Sequence, residues 1–198
     1  MKCLIVTAHP LQDSLCMQIA LQICEQLQEQ GHEVNHEDLY ASSFNPALTT
    51  TERATYYADT YDSSELTTLV NNLQSAEALI LVFPTWWFGF PAILKGWFDR
   101  VWGPGIAFDN TDDFGPIVPR LDNLRKTMVV TTLGSPWWVD RLIMRQPVKR
   151  VVKTALLGAC ATNSSLQFLS LYESEKTDDK KLQRFMRKVS HAVNTWSL

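Results

Sequence analysis

The sequence predicts an α/β domain in which a parallel β-sheet lies between two layers of helices. Short, continuously apolar runs recur along the chain, as expected for parallel strands that are covered on both faces. Amphipathic helical patterns separate these runs, so that strand and helix alternate five times. Five parallel strands joined by right-handed crossovers fit the strand order 2-1-3-4-5. The whole chain, residues 1–198, is predicted to form this one domain.

Four of the predicted strands are apolar almost throughout, and the fifth is weaker. The apolar strands are "CLIV" (3–6), "ALILVF" (78–83), "TMVVTT" (127–132) and "LQFLSL" (166–171). The weaker strand is "HEVNHEDLY" (32–40), the second along the chain.

Helices are predicted between the strands and at the end of the chain. The first, over residues 14–30, places apolar side chains four residues apart, and Gly31 is expected to end it. Pro91 is expected at the first position of the helix after the third strand. The remaining predicted helices cover residues 64–75, 147–159 and 178–196.

Composition and charge exclude several classes of protein. The 198-residue chain has a net charge of -3, so it lacks the basic field on which nucleic-acid binding depends. Its four cysteines show no C-x-x-C spacing, which indicates reduced thiols in a cytoplasmic protein. No run approaches the roughly 18 apolar residues of a membrane span, and the apolar part of the N-terminus is too short for a signal peptide. The histidines show no metal-ligand spacing at the carboxyl edge of the sheet, so no metal site is predicted.

The loop after the first strand, residues 7–14, is the first candidate binding segment. It lacks both G-x-G-x-x-G and the P-loop pattern, which disfavours a Rossmann dinucleotide site and an ATPase. A polar loop that opens a helix still presents free backbone N–H groups to an anion. Ser14 is expected to cap the helix, to bind a phosphate, or both, and His9 faces the same edge.

The turn "PTWWFGF", residues 84–90, is the second candidate. Pro84 and Gly89 favour a turn, and the rings of Trp86, Trp87 and Phe88 lie in it rather than in the strand. Packing beneath a loop is one interpretation of these rings, and a wall for a planar ligand at the carboxyl edge of the sheet is the other.

The helix that follows this turn mixes apolar and charged residues. Trp97, Phe98 and Trp102 follow helical spacing and are expected to be core or subunit contacts. Gly96 costs on the order of 1 kcal/mol inside a helix, which predicts a close approach by another backbone or by a partner subunit. Arg100 is expected at the surface.

The third candidate segment, "TTLGSPWW", follows the fourth strand. Thr132 and Gly134 would let the backbone run close to a ligand, while Trp137 and Trp138 add a second aromatic pair.

These segments together resemble one family. The stretch "PTWWFGFPAILKGWFDRVWGPGIAF" is similar to the signature of the NAD(P)H:quinone reductases, the DT-diaphorase relatives among the flavodoxin-like flavoproteins. "AHPLQDSL" resembles the phosphate loop of that family, "TTLGS" its loop after the fourth strand and "LYASSFNPAL" its D-L-Y segment. The resemblance spans roughly residues 1–140 and is stronger to the shorter, bacterial-type members.

The resemblance implies a flavodoxin-like three-layer sandwich that binds FAD, with FMN as the alternative, and uses NAD(P)H as co-substrate. It implies ping-pong hydride transfer to a quinone and a homodimer with the flavin near the interface. The implied cofactor-binding residues are His9, Ser14, Leu15, Cys16, Pro84, Thr85, Trp86, Trp87, Phe88, Thr132, Leu133 and Gly134. The implied substrate-binding residues are Trp87, Phe88 and Phe108. The aromatic turn and Trp97 would bury against the partner subunit.

Two departures from the family pattern bear on the chemistry. Leu133 stands where the family usually has glycine. Trp138 or Val139 occupies the position of a tyrosine in the mammalian members, and no histidine lies between residues 37 and 190. No catalytic side chain is therefore assigned.

Two other functions are consistent with parts of the pattern. Ancillary proteins of glutathione-gated potassium efflux systems carry the same signature, so binding to the cytosolic domain of a membrane transporter is the alternative function. A flavodoxin-type electron carrier is disfavoured, because such carriers are strongly acidic and this chain is only mildly so.

Overall fold

The computed structural model describes residues 1–111 and 115–196, and it contains the predicted five-stranded parallel sheet. The strands are β1 (Lys2–Thr7), β2 (Glu33–Asp38), β3 (Ala78–Pro84), β6 (Lys126–Leu133) and β7 (Ser165–Tyr172). They lie in the order β2-β1-β3-β6-β7, and every neighbouring pair is parallel. Two short strands, β4 (Phe108–Asp109) and β5 (Val118–Pro119), form a separate antiparallel ladder. When only the five strands of the main sheet are numbered along the chain, their order is 2-1-3-4-5. The predicted flavodoxin-like topology is therefore confirmed.

The helices lie between the strands, and all of them except α2, which was not predicted, fall in predicted helical segments. They are α1 (Leu15–Glu29), α2 (Thr50–Thr55), α3 (Thr67–Ser75), α4 (Ala92–Val101), α5 (Pro147–Arg150), α6 (Gly158–Cys160) and α7 (Asp179–Asn194). A 3₁₀ turn, Ser64–Leu66, leads into α3, and a π-helical stretch, Val151–Leu157, joins α5 to α6. The continuous helix predicted over residues 147–159 is therefore interrupted by wider turns. Pro91 is the N-cap of α4 rather than its first helical residue.

The strands separate two apolar clusters, because successive side chains of a strand point to opposite faces. One cluster joins Leu4, Val6 and Phe83 to α3, α4 and the helical region after residue 147. The other joins Ile5 and Val82 to α1 and α7. The architecture is thus three layers, helix–sheet–helix.

Trp97, Phe98 and Trp102 are buried in the first cluster within a single chain. The expectation that Trp97 packs against a partner subunit is therefore wrong, and the core interpretation of these rings is confirmed. Gly96 lies against Pro46 of the same chain, so the close approach is intramolecular.

The four cysteines are free and buried. Among the described helices, none is both long enough and apolar enough to cross a membrane.

Candidate functional site

Three loops meet at one edge of the sheet, because they follow the adjacent strands β1, β3 and β6. Parallel strands end at the same edge, and ligands of open α/β sheets bind beyond it. The loops are tied together by main-chain and side-chain bonds: Thr85 N donates to Thr132 O at 2.8 Å, and the hydroxyls of Thr85 and Thr131 lie 2.6 Å apart. The loop after β3 is therefore fixed against the end of β6.

The N-terminus of α1 opens directly after the loop from β1. Ser14 is its N-cap, and its hydroxyl accepts a hydrogen bond from Met17 N at 3.3 Å, so the capping interpretation is confirmed. Leu15 and Cys16 occupy the first two helical positions, whose N–H groups have no partner within the helix. With no acidic residue in the first turn, this end of α1 is suited to an anion such as a phosphate.

His9 presents a defined hydrogen-bond donor at the same place. Its Nδ1 accepts from Leu11 N at 3.1 Å, so the neutral ring carries its proton on Nε2. The ring centroid of His9 lies 6.3 Å from that of Trp86. The loop therefore directs an N–H donor and an aromatic ring to the same edge.

The turn after β3 has an unusual backbone. Gly89 N donates to Trp86 O at 2.9 Å and closes it, and the central residues Trp87 and Phe88 have φ values of 49° and 57°. Two positive φ values at the centre are typical of a type I′ turn, which normally takes Asn and Gly. Each costs on the order of 1–3 kcal/mol for a residue with a side chain. Such strain is found at functional sites, and here it falls on two ring-bearing residues. Gly89, expected to permit the turn, is not itself in the left-handed region.

The rings of this turn are not packed in the core. Trp86 is 43% exposed and Trp87 is 99% exposed. Burying an aromatic side chain stabilises a protein by about 2–3 kcal/mol, and the exposed Trp87 ring forgoes that contribution in the single chain. The interpretation as packing beneath a loop is therefore wrong for Trp86 and Trp87.

A pocket of about 250 Å³ lies where the three loops meet. It is lined by His9, Leu15, Cys16, Pro84, Thr85, Trp86, Thr132, Gly134, Ser174 and Glu175. Eight of these ten residues belong to the predicted cofactor site. A larger cavity, about 790 Å³, lies between residues 57–63 and 104–111 and contains none of the predicted residues.

Five predicted residues do not line the pocket. Ser14 lies beside it as the cap, and Trp87 and Phe88 form the adjacent turn. Leu133 is buried at the end of β6. Phe108 is paired with Pro119 in the β4–β5 ladder, and its side chain packs against the first apolar cluster.

Cys16 contributes a wall to the pocket rather than a reactive group. Its thiol lies 3.7 Å from the Thr132 hydroxyl. Burial raises the pKa of the Cys16 thiol to about 11, although the hydrogen bond with Thr132 opposes this. The thiol is therefore uncharged near neutral pH and is a poor nucleophile.

Ser174 and Glu175 were missed by sequence reasoning. They lie in the turn Ser174–Lys176 directly after β7, whose carboxyl end meets the same edge of the sheet. A Cβ atom added to Gly134 would lie 3.5 Å from Glu175 Oε1, so this carboxylate lies against the loop after β6. The sequence feature that could have indicated these two residues is the polar stretch "ESEKTDD" after the last apolar run.

The chain matches one family model and is similar in sequence to several named oxidoreductases. A family model described as the flavodoxin-like fold matches residues 1–191. The uncharacterised NAD(P)H oxidoreductase YcaK of Escherichia coli (strain K12) is 40% identical over 105 residues, which are 52% of this chain and 54% of YcaK. NAD(P)H dehydrogenase (quinone) 1 of Cavia porcellus is 34% identical over 116 residues, which are 50% of this chain and 41% of that protein. The chain therefore spans about half the length of the curated relatives it matches.

Among solved structures, the NAD(P)H:quinone oxidoreductase from Methanothermobacter marburgensis superimposes with a TM-score of 0.83. The match covers 99% of this chain and 96% of that one at 23% sequence identity, a level that establishes the shared fold.

Proposed function

Because the chain belongs to the flavodoxin-like fold family, whose model covers residues 1–191, we propose that it is a flavin-dependent NAD(P)H oxidoreductase that reduces quinones. The observation that carries the proposal is the pocket at the carboxyl edge of the sheet. The N-terminus of α1 lines this pocket, together with His9, whose Nε2 carries the proton of the neutral ring. Trp86, from the aromatic turn after β3, lines the same pocket. The names of the relatives in Escherichia coli and Cavia porcellus support the same class of reaction.

The chemistry of the lining residues fits a flavin nucleotide. The Leu15 and Cys16 N–H groups suit its phosphate, because they lie at a helix N-terminus with no acidic residue in the first turn. Trp86 offers an aromatic face, and Thr132 and Gly134 offer polar groups and close backbone approach at the opposite wall. We propose that these residues, with His9, Pro84 and Thr85, hold the cofactor.

The bound flavin would supply the two-electron chemistry, accepting hydride from NAD(P)H and passing it to the quinone in a ping-pong cycle. The protein's own part is to bind and to orient. The bonds of Thr85 to Thr131 and Thr132 fix the wall, and the strained Trp87–Phe88 turn presents a rigid aromatic surface to the co-substrates.

We further propose that two chains complete the site. A pocket of about 250 Å³ is smaller than the roughly 300–1,000 Å³ typical of sites that enclose a whole small molecule. Trp87 stands almost fully exposed beside it, as expected of a ring that a second subunit covers. Light scattering that gives the mass of a monomer with flavin fully bound would contradict this dimer.

The test of the function uses the purified full-length chain. Its absorption spectrum is recorded before and after incubation with FAD or FMN, and NADH or NADPH oxidation is then followed with a soluble quinone. We expect a flavin spectrum and quinone-dependent turnover, with FAD as the resident cofactor. A colourless protein that takes up neither flavin would overturn the proposal. Tight flavin binding without turnover would instead favour the regulatory role in a potassium efflux system.

A further inference from the structure

The turn after β7 brings a carboxylate into the wall of the pocket. Ser174 and Glu175 line the pocket, and a Cβ atom added to Gly134 would lie 3.5 Å from Glu175 Oε1. Among the described residues that line the pocket, Glu175 is the only aspartate, glutamate, lysine or arginine. The His9 ring is neutral, because its Nδ1 accepts a hydrogen bond from Leu11 N at 3.1 Å. The formal charge on the pocket wall is therefore negative.

Two hydrogen bonds fix this turn to the segment that follows β6. Glu173 N donates to Ser135 O at 3.2 Å, and the Tyr172 hydroxyl donates to the buried Asp140 carboxylate at 2.8 Å. Glu173 also has a left-handed φ of 53°, which turns the chain sharply after β7. The backbone that carries Glu175 is therefore held beside the loop after β6.

Within the part of the chain that the structure describes, no hydrogen bond or ion pair engages the Glu175 carboxylate. Two cations of the adjoining elements contact other groups. Lys181 Nζ lies 3.9 Å from a carboxylate oxygen of Glu173, and Arg141 Cζ lies 6.0 Å from the centre of the Tyr172 ring. The charge of Glu175 therefore stays unpaired on the pocket wall.

We propose that Glu175 lowers the reduction potential of a flavin bound in this pocket. The proposal rests on the proposed function, in which the flavin lies against the wall formed by Gly134. Hydride transfer from NAD(P)H delivers two electrons and one proton, so NAD(P)⁺ leaves and the flavin ring gains one negative charge. A carboxylate on the pocket wall repels that charge and disfavours the reduced ring relative to the oxidised ring.

The consequence is that the reduced flavin is a stronger hydride donor to the quinone. In that step the hydride and one proton from the solvent pass to the quinone, so the hydroquinone leaves and the oxidised ring is restored. No histidine lies between residues 37 and 190, so the loop after β6 has no imidazole that could stabilise the anionic ring. The charge of the pocket therefore favours delivery of the hydride over its retention.

A second role for the same carboxylate would be to accept hydrogen bonds from the hydroxyl groups of the ribityl chain of the flavin. That role predicts weaker binding of oxidised and reduced flavin alike when the carboxylate is removed. Charge repulsion predicts a difference between the two oxidation states. The reduction potential depends only on that difference, so it separates the two roles.

The experiment measures the reduction potential of the flavin-loaded full chain against a reference dye in the absence of oxygen, and the affinity for oxidised flavin by fluorescence titration. Glu175→Gln removes the charge at nearly constant shape, and Glu175→Lys reverses it. Glu173→Gln is the matched control, because it removes the same charge from the start of the same turn but from a side chain that does not line the pocket. Thermal melting establishes that each variant is folded.

In Glu175→Gln, the affinity for reduced flavin should rise about tenfold relative to the affinity for oxidised flavin. A tenfold change raises the potential of a two-electron couple by about 30 mV. Glu175→Lys should raise the potential further, and Glu173→Gln should change the affinity ratio by about twofold or less. Glu175 is exposed in the single chain, so added salt should reduce each shift.

An unchanged potential in both Glu175 variants, or an equal shift in Glu173→Gln, would overturn this inference and leave the proposed function intact. Equal weakening of the affinity for oxidised and reduced flavin would also overturn it and assign the carboxylate to the ribityl chain. A wild-type chain that binds neither FAD nor FMN would overturn the proposed function and this inference together.

Discussion

Arg100 and Glu52 form a buried ion pair that joins the segment of residues 45–52, which ends in α2, to α4. Arg100 Nε donates to both carboxylate oxygens of Glu52, at 2.9 and 3.0 Å, and Arg100 Nη1 donates to Asn45 O at 2.6 Å. Burial alone would raise the pKa of Glu52, but hydrogen bonds from Arg100 and Thr49 outweigh it and hold the pKa below its ordinary value. The expectation that Arg100 lies at the surface is wrong, because the ion pair satisfies its charge inside the protein.

Removing one partner of this pair should be strongly destabilising. In Arg100→Met the Glu52 carboxylate stays buried without its cation, and the expected loss is about 3–5 kcal/mol in the free energy of unfolding. The exposed Lys95 of the same helix is the matched control, and Lys95→Met should change stability by about 1 kcal/mol or less. Urea denaturation compares the two variants. Equal losses would contradict a structural role for the buried pair.

Gly96 is the second attachment point of the same segment. A Cβ atom at this position would overlap the Pro46 carbonyl oxygen and lie 2.5 Å from the Pro46 Cα, so the neighbouring backbone must move. Gly96→Ala should therefore destabilise the protein by about 1–3 kcal/mol, although alanine is the better helix former. Lys95→Ala, at the exposed neighbouring position, should have little effect on the thermal melting midpoint. A Gly96→Ala variant that melts at or above the wild-type temperature would disprove the close approach.

The sequence was sufficient for the fold and for most of the pocket, and its limits have physical reasons. Apolar runs and their alternation with helices determined the strand order, and that order determined which loops meet. The Arg100–Glu52 pair was not predictable, because Glu52 lies in α2, a helix of only six residues that no apolar periodicity indicates. The left-handed Trp87 and Phe88 were missed because rings seldom occupy that conformation. Glu175 was missed because the polar stretch after the last strand, although visible in the sequence, matches no ligand-binding motif.

The strain at Trp87 can be separated from the role of its ring. Glycine adopts the left-handed conformation of residue 87 without steric strain, whereas alanine keeps that strain. The Trp87→Gly variant should therefore be more stable than Trp87→Ala by about 1 kcal/mol. Both variants lack the exposed ring and should bind flavin or turn over NAD(P)H more weakly. Thermal melting without flavin measures the first effect, and fluorescence titration with flavin measures the second. Wild-type flavin affinity in both variants would show that the ring does not serve the pocket.

Gly134→Ala tests the wall formed by the loop after β6. The added Cβ would lie 3.5 Å from Glu175 Oε1, an ordinary contact, so the unfolding free energy should change by less than about 1 kcal/mol. The methyl group would nevertheless occupy the side of the pocket where the backbone is proposed to approach the flavin, and affinity should fall about tenfold or more. Flavin titration followed by fluorescence gives the affinity, and urea denaturation gives the stability. Unchanged affinity would place the flavin elsewhere.

Glu37 should make the stability of the protein depend on pH around neutrality. It lies buried in β2, and its carboxylate accepts hydrogen bonds from Asn72 Nδ2 at 2.9 Å and from Trp97 Nε1 at 3.1 Å. Burial raises the pKa of Glu37 from 4.5 to about 7, against the opposing effect of these two bonds. The folded state therefore keeps a proton that the unfolded state releases between pH 4.5 and 7, and stability falls as the pH rises through this range.

Glu37→Gln removes this titration while keeping a side chain of similar shape. Between pH 5 and pH 8, the wild type should lose about 2–3 kcal/mol of unfolding free energy relative to the variant. Glu33→Gln, at an exposed position of the same strand, is the control and should follow the wild-type profile. Urea denaturation at a series of pH values measures all three proteins. Parallel profiles for the wild type and Glu37→Gln would mean that this carboxyl group titrates alike in the folded and unfolded states.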